Sequence, residues 1–242
     1  MAMRILITND DGIYAAGLIP LVKWAMKLGQ VTVIAPKVEQ SGKSHGIEIH
    51  KSFSLEKVEL VDGAEAYALD STPADCVRYA ILGRKLQFDL VISGINRGLN
   101  VGADIMYSGT VGAICEAANL GVHALAFSTS PAYYDKAVEK LDMAYDFVVK
   151  HRLLEKNLFY NINIPADPTG IRITRQGGPY YSDHFTLENG MVTPHGIDVF
   201  TPCGQEDVDT DCVLRYGMIS ITPMTNQRAN MPLYQELREL NG

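Results

Sequence analysis

Residues 4–12 read RILITNDDG. The first five, RILIT, are a short apolar run with the character of a strand buried on both faces. Asn9-Asp10-Asp11-Gly12 then cuts the run off with a polar turn. Working outward, the same alternation repeats. Leu18, Leu21, Val22, Ala25 and Leu28 recur at helical spacing, with Gly29 as the expected stop. Residues 31–35 (VTVIA) predict the next strand, ended by Pro36. Thr72-Pro73-Ala74-Asp75 has the signature of a helix start: a capping hydroxyl, proline at the first position, an acid in the first turn. Residues 88–93 (FDLVIS) and 122–128 predict two further strands. Helices are predicted over 110–120, ending at Gly121, and over 134–151. Strands alternating with helices imply a parallel sheet with right-handed crossovers.

Two regions break the rhythm. Residues 47–69 lack a helical period and contain extended pieces, IEIH, FSLEKVEL and EAYAL, with Asp62-Gly63 as a turn. They predict β-hairpins inserted between core units. After residues 158–164 (LFYNINI), the chain turns rich in Gly, Pro, Asp and Tyr. Residues 167–225 predict a β-rich extension with strands near 171–174 and 213–222. Residues 232–240 form a short helical tail suited to docking on a partner subunit.

The 242 residues carry a formal charge of −7, with 47% hydrophobic and 20% charged residues. That is globular composition, and its acidic balance argues against duplex nucleic acid or an anionic membrane as a partner. The four cysteines are widely spaced with no C-x-x-C, so neither a disulfide framework nor a zinc site is expected. No stretch nears the ~18 consecutive apolar residues of a membrane helix, and no signal-peptide pattern opens the chain. A cytoplasmic protein is the expectation.

In open α/β sheets, ligands bind beyond the carboxyl ends of the strands. After the first strand, Asp10 and Asp11 place two carboxylates side by side, which repel unless a cation neutralises them. A hard divalent ion with oxygen ligands fits; a polar loop with one acid capping the next helix is the alternative. After the second strand, residues 39–45 offer Ser41 to a metal and Lys43 to a phosphate, or else form a solvated turn. After the third, Asn96 sits where a side-chain carbonyl could complete an oxygen shell. Ser108-Gly109-Thr110 then opens a helix whose free amides make a phosphate cradle. Each signal is weak alone; their convergence at neighbouring strand ends is what carries the reading. Lone histidines His45, His184 and His195 are expected in solvated loops.

ITNDDGIYAAGL, SGKS, STPADCV, SGINRGLNVGADIMYSGTVGA, FYNINIP and YGMISITPM together resemble the SurE survival-protein family, over nearly the whole chain. One departure is Ser71, where the family usually has glycine before Thr-Pro. The resemblance implies a metal-dependent nucleotidase and acid phosphatase that hydrolyses nucleoside monophosphates, in some members short polyphosphate also. It implies one divalent ion per subunit, Mg or Mn, held by Asp10, Asp11, Ser41 and Asn96. Water activated by that ion beside Asp10 and Asp11 would attack phosphorus. Ser108, Gly109, Thr110 and Lys43 would hold the phosphate.

The fold class expected is therefore α/β: a Rossmann-like, mostly parallel sheet with inserted β-hairpins and a β-rich C-terminal extension. Residues 1–166 would form the catalytic core, with the hairpin insertion near 47–69. Residues 167–242 would serve a homodimer or homotetramer. Two rivals are weighed. An aspartyl-phosphate phosphatase needs a second acid two residues after its nucleophile, and here the acids are adjacent. A phospho-receiver-like metal-binding signalling module shares the acidic pair. It lacks here both an acceptor aspartate after the third strand and a lysine after the fourth.

Overall fold

The computed structural model describes residues 2–241. In chain order, β1 (Met3–Thr8) leads to α1 (Leu18–Ala25), β2 (Gly29–Pro36), β3 (Leu55–Val58) and β4 (Glu65–Leu69). Next come α2 (Pro73–Arg78), β5 (Leu90–Arg97), α3 (Gly109–Asn119), β6 (His123–Thr129) and α4 (Tyr134–Lys150). The short α5 (Leu153–Lys156) precedes β7 (Phe159–Ile164) and β8 (Ile171–Ile173). The chain closes with β9 (Tyr181–Glu188), β10 (Met191–Asp198), α6 (Asp209–Leu214), β11 (Ile219–Pro223) and α7 (Met231–Leu237).

The main sheet has nine strands in the order β3-β4-β2-β1-β5-β6-β7-β11-β8. From β4 across to β7 every pairing is parallel. Strand β3 is antiparallel to β4, and β11 to β7. The alternating βα pattern thus produced a mostly parallel α/β sheet. The chain winds outward from β1 through β2 to β4, then returns to the other side of β1 with β5. The switch point lies between the carboxyl ends of β1 and β5, where ligands collect in open α/β sheets. Thr8 and Ser93 pair there in register.

Residue parity on β1 explains the layering. Ile5 and Ile7 face one helical layer, packed with Trp24 of α1 and Leu141 and Tyr145 of α4. Leu6 faces the other, packed with Val77 of α2 and Val111 and Ile114 of α3. Both faces are covered, as a parallel sheet requires. Trp24 stands edge-on to Phe127 and Tyr145 and donates its indole N–H to Asp142 at 2.7 Å.

Several local expectations are corrected. Gly29 opens β2 instead of stopping a helix; a Cβ there would lie 2.1 Å from the Met3 carbonyl oxygen, so strand pairing demands glycine. Residues 47–50 form no strand. Strands β3 and β4 do pair as a hairpin, but β4 also pairs with β2, so this segment is the edge of the main sheet. The expected strand over 213–222 begins only at Ile219, because α6 occupies its first residues. Both β8 and β11 join the main sheet, so the sheet continues past residue 166. A separate two-stranded hairpin, β9–β10, was not foreseen, and it carries His184 and His195 as a stacked cross-strand pair instead of leaving them in loops.

Candidate active site at the switch point

Asp10 and Asp11 lie one residue past the carboxyl end of β1, in the turn that follows Asn9. Asn96 is not in the loop after β5, as expected, but within the strand itself. Pairing with β6 shifts register between Ser93 and Asn96, and such an irregularity re-aims side chains next to a site. Gly94 allows it: its φ is 135°, and a Cβ would sit 2.3 Å from the Phe127 carbonyl oxygen. Gly12, with φ 100°, turns the chain after the acid pair; Asn9 secures the turn by donating its Nδ2 to the Gly12 carbonyl at 2.9 Å.

The start of α3 faces these acids. Ser108 is its N-cap, accepting the Val111 N–H at 3.1 Å. The Thr110 hydroxyl donates to Asp10 Oδ1 and lies 3.3 Å from Asn96 Oδ1. Burial pushes the Asp10 carboxyl up, and the Thr110 hydroxyl and the Thr110 and Gly109 amides pull it partly back. Burial likewise raises Asp11, to about 6, with help from the charges of Asp10 and Glu39, although Asp11 accepts the Arg97 N–H at 2.9 Å. Both carboxylates are thus held in surroundings that disfavour their charge. A divalent cation relieves that cost, and two carboxylates with amide and hydroxyl oxygens are a hard-ion donor set. Among the described residues, no three His, Cys, Asp or Glu side chains converge as a metal cluster. The fit rests on this mixed oxygen set.

The structure therefore brings together Asp10, Asp11, Asn96, Ser108, Gly109 and Thr110. Ser41 and Lys43 lie on the neighbouring 39–46 loop, which is tied to the site by the Gln40 N–H donating to the Asp10 carbonyl at 2.7 Å. The exposed Ser41 hydroxyl donates to Glu39 at 2.7 Å and not to the acid pair. Lys43 is exposed.

One anchoring set escaped the sequence reading. Glu116 on α3 is buried, with its carboxylate 2.7 Å from His45 Nε2 and 2.9 Å from Arg78. It fastens the 39–46 loop to α3 and α2. Gly112 lets the loop approach, since a Cβ there would meet the Ser44 carbonyl oxygen at 2.2 Å. Ser44 adds a bond from its hydroxyl to the Met106 carbonyl at 2.6 Å. The available signal was a lone charge within GAICEAAN, a run of otherwise small and apolar residues. The departure at Ser71 also has a local use: its hydroxyl donates to Asp75 at 2.5 Å, beside the Thr72 cap of α2.

Known proteins resemble this chain over nearly its whole length. The family model for survival protein SurE matches residues 5–183. The 5′-nucleotidase SurE of Thermosipho melanesiensis is 40% identical over 252 residues, covering 98% of this chain and 97% of the relative. The 5′-nucleotidase SurE of Thermoanaerobacter sp. (strain X514) is 38% identical over 234 residues, covering 92% of each. Among solved structures, the SurE protein from Aquifex aeolicus superposes with a TM-score of 0.81 at 28% identity, covering 99% of this chain and 100% of that one.

Proposed function

The chain belongs to the SurE family, and from that premise we propose that it works as a 5′-nucleotidase. It is a phosphoric monoester hydrolase that converts nucleoside monophosphates to nucleoside and phosphate. The observation that carries the mechanism is the meeting of Asp10, Asp11, Asn96 and the start of α3 at the switch point of the sheet.

Asp10, Asp11 and Asn96, with Ser41 from the adjoining loop, are the residues that would hold one divalent cation, Mg or Mn. Such an ion, when bound, supplies Lewis acidity toward the phosphoryl group and eases deprotonation of water near neutral pH. Thr110 fixes the Asp10 carboxylate through its hydroxyl, and the Gly109 and Thr110 amides that face Asp10 open α3 at the place we assign to phosphate oxygens. Ser108, Gly109 and Thr110 form that cradle, where the helix dipole favours negative charge. Lys43 reaches the phosphate from the 39–46 loop. As charge builds on the equatorial oxygens in the transition state, these fixed donors stabilise it without rearranging. The receiver-like alternative loses its footing, because β5 ends in Ser-Gly-Ile-Asn-Arg with no aspartate to phosphorylate.

The test is phosphate release from nucleoside monophosphates with Mg or Mn added, before and after exhaustive chelation. Turnover should vanish on chelation and return with metal. Activity that survives chelation would remove the ion from the mechanism.

We also propose a cytoplasmic homodimer or homotetramer. No helix among the described residues is long and apolar enough to cross a membrane. The β9–β10 hairpin exposes Phe185, Leu187, Met191 and Val192, and the C-terminal segment exposes Leu233, Tyr234 and Leu237. Apolar side chains exposed together mark association surfaces, which supports residues 167–242 as the oligomerising part. Light scattering should give two or four chains per particle; a monomer at micromolar concentration would contradict this.

A further inference from the structure

Beside the acid pair, past the carboxyl ends of β5, β6 and β7, lies a cavity of about 600 Å³. Arg97, Pro131, Tyr133 and Pro165 line it, and Tyr180 and Tyr181 close one side. Arg97, whose backbone N–H holds Asp11, also lines the cavity, so the cavity adjoins the acid pair. Its volume falls in the range of pockets that enclose drug-sized ligands, far more than a phosphate needs.

The tyrosine wall is held in place. The rings of Tyr180 and Tyr181 meet edge to face, with centroids 4.5 Å apart. Their backbone N–H groups both donate to one oxygen, Asp104 Oδ2, at 3.0 and 2.7 Å. Asp104 belongs to the 3-10 segment Gly102–Tyr107, which runs directly into Ser108, the cap of α3. One short segment thus sets both the aromatic wall and the helix start assigned to the phosphate.

We propose that this cavity is the subsite for the nucleoside half of the substrate, with the base stacked on one ring of the Tyr180–Tyr181 pair and the other ring bracing it edge-on. Asp104 is the positioning residue of that wall. The proposal rests on the nucleotidase reading and adds where the leaving group sits. A base offers a flat π-face that an aromatic side chain can hold whatever the base, and one such contact is worth about 1–3 kcal/mol. Tyrosine suits a half-wet wall because its body is apolar and its tip polar.

The experiment compares a nucleoside monophosphate with ribose 5-phosphate, which keeps the phosphoryl group and sugar and lacks the base. In the Tyr180→Ala/Tyr181→Ala double variant, the ratio of KM for the nucleotide to KM for the sugar phosphate should rise roughly 10-fold, within the worth of one stacked base. Asp104→Ala should raise the same ratio, and Asp104→Asn, which keeps an accepting oxygen, should restore most of it. Calorimetric titration with the nucleoside alone should show the same weakening without any turnover. An unchanged ratio together with unchanged nucleoside affinity would overturn the subsite. A wild-type protein that hydrolyses neither ester would overturn the nucleotidase reading on which it rests.

Discussion

Gly109 decides how closely α3 can approach Asp10. A Cβ there would stand 2.9 Å from the Asp10 Cβ, 3.1 Å from Oδ2 and 3.3 Å from the Gln40 carbonyl oxygen. Gly109→Ala therefore sets two effects against each other. Alanine gains about 1 kcal/mol of helix propensity, while overpacking costs about 1–3 kcal/mol. Stability should change little. Nucleotide turnover should fall roughly 10- to 100-fold, because a sub-ångström shift of Asp10 misplaces the reacting groups. Urea unfolding and steady-state kinetics on one preparation separate the two; wild-type turnover would contradict the close-approach argument. At this scale the sequence was informative where chemistry is local. Adjacent Asp10 and Asp11 announce a charge problem by themselves. The Thr110 bond to Asp10 spans 100 positions, and only the folded sheet brings the two together.

At the scale of elements, α3 and the 39–46 loop act as one unit joined by Glu116. Burial pushes the Glu116 carboxyl up, but the bonds from His45 and Arg78 more than reverse this, so it stays below the ordinary glutamate range. A depressed acid stabilises the fold above its unfolded pKa, about 4.3. That contribution is lost as pH falls through the lower folded value. Glu116→Gln should cost about 1.5–3 kcal/mol at pH 7, the scale of a hydrogen bond to a charged group. The gap from wild type should narrow at acid pH. Denaturant melts at both pH values check it, and a gap that stays constant with pH would contradict the ion-pair account. The strands β1, β2, β6 and β7 and the helices α3 and α4 were legible because their apolar periods are unbroken. β9 and β10 were missed because nothing in them is buried: every residue of the hairpin is exposed, so no alternation marks it. The end of β5 was misread as a loop because Gly94 and Asn96 look like turn residues, while pairing with β6 resumes past the register shift, with Asn96 opposite Ser128.

At the scale of the whole molecule, the nine-stranded sheet turns a dispersed list of residues into one place. Winding outward from β1 and returning through β5 puts Asp10, Asp11 and Asn96 at one crevice, with α3 pointing its start into it. That placement was foreseeable from the βα alternation. The joining of β8 and β11 to the sheet was not, since short strands of three and five residues carry little pattern. The net charge of −7 belongs to the whole surface. The crevice has its own sign: Asp10 and Asp11 make it acidic, and the divalent cation proposed for it would neutralise that pair.

The acid pair at the switch point is what we propose makes this chain a metal-dependent nucleotidase. Phosphate release from a nucleoside monophosphate, with saturating Mg or Mn, by wild type and Asp11→Asn tests it most directly. The variant should fold as wild type does and lose more than roughly 100-fold in kcat/KM, as the loss of several kcal/mol of charge stabilisation requires. Turnover by Asp11→Asn within a few-fold of wild type would contradict it.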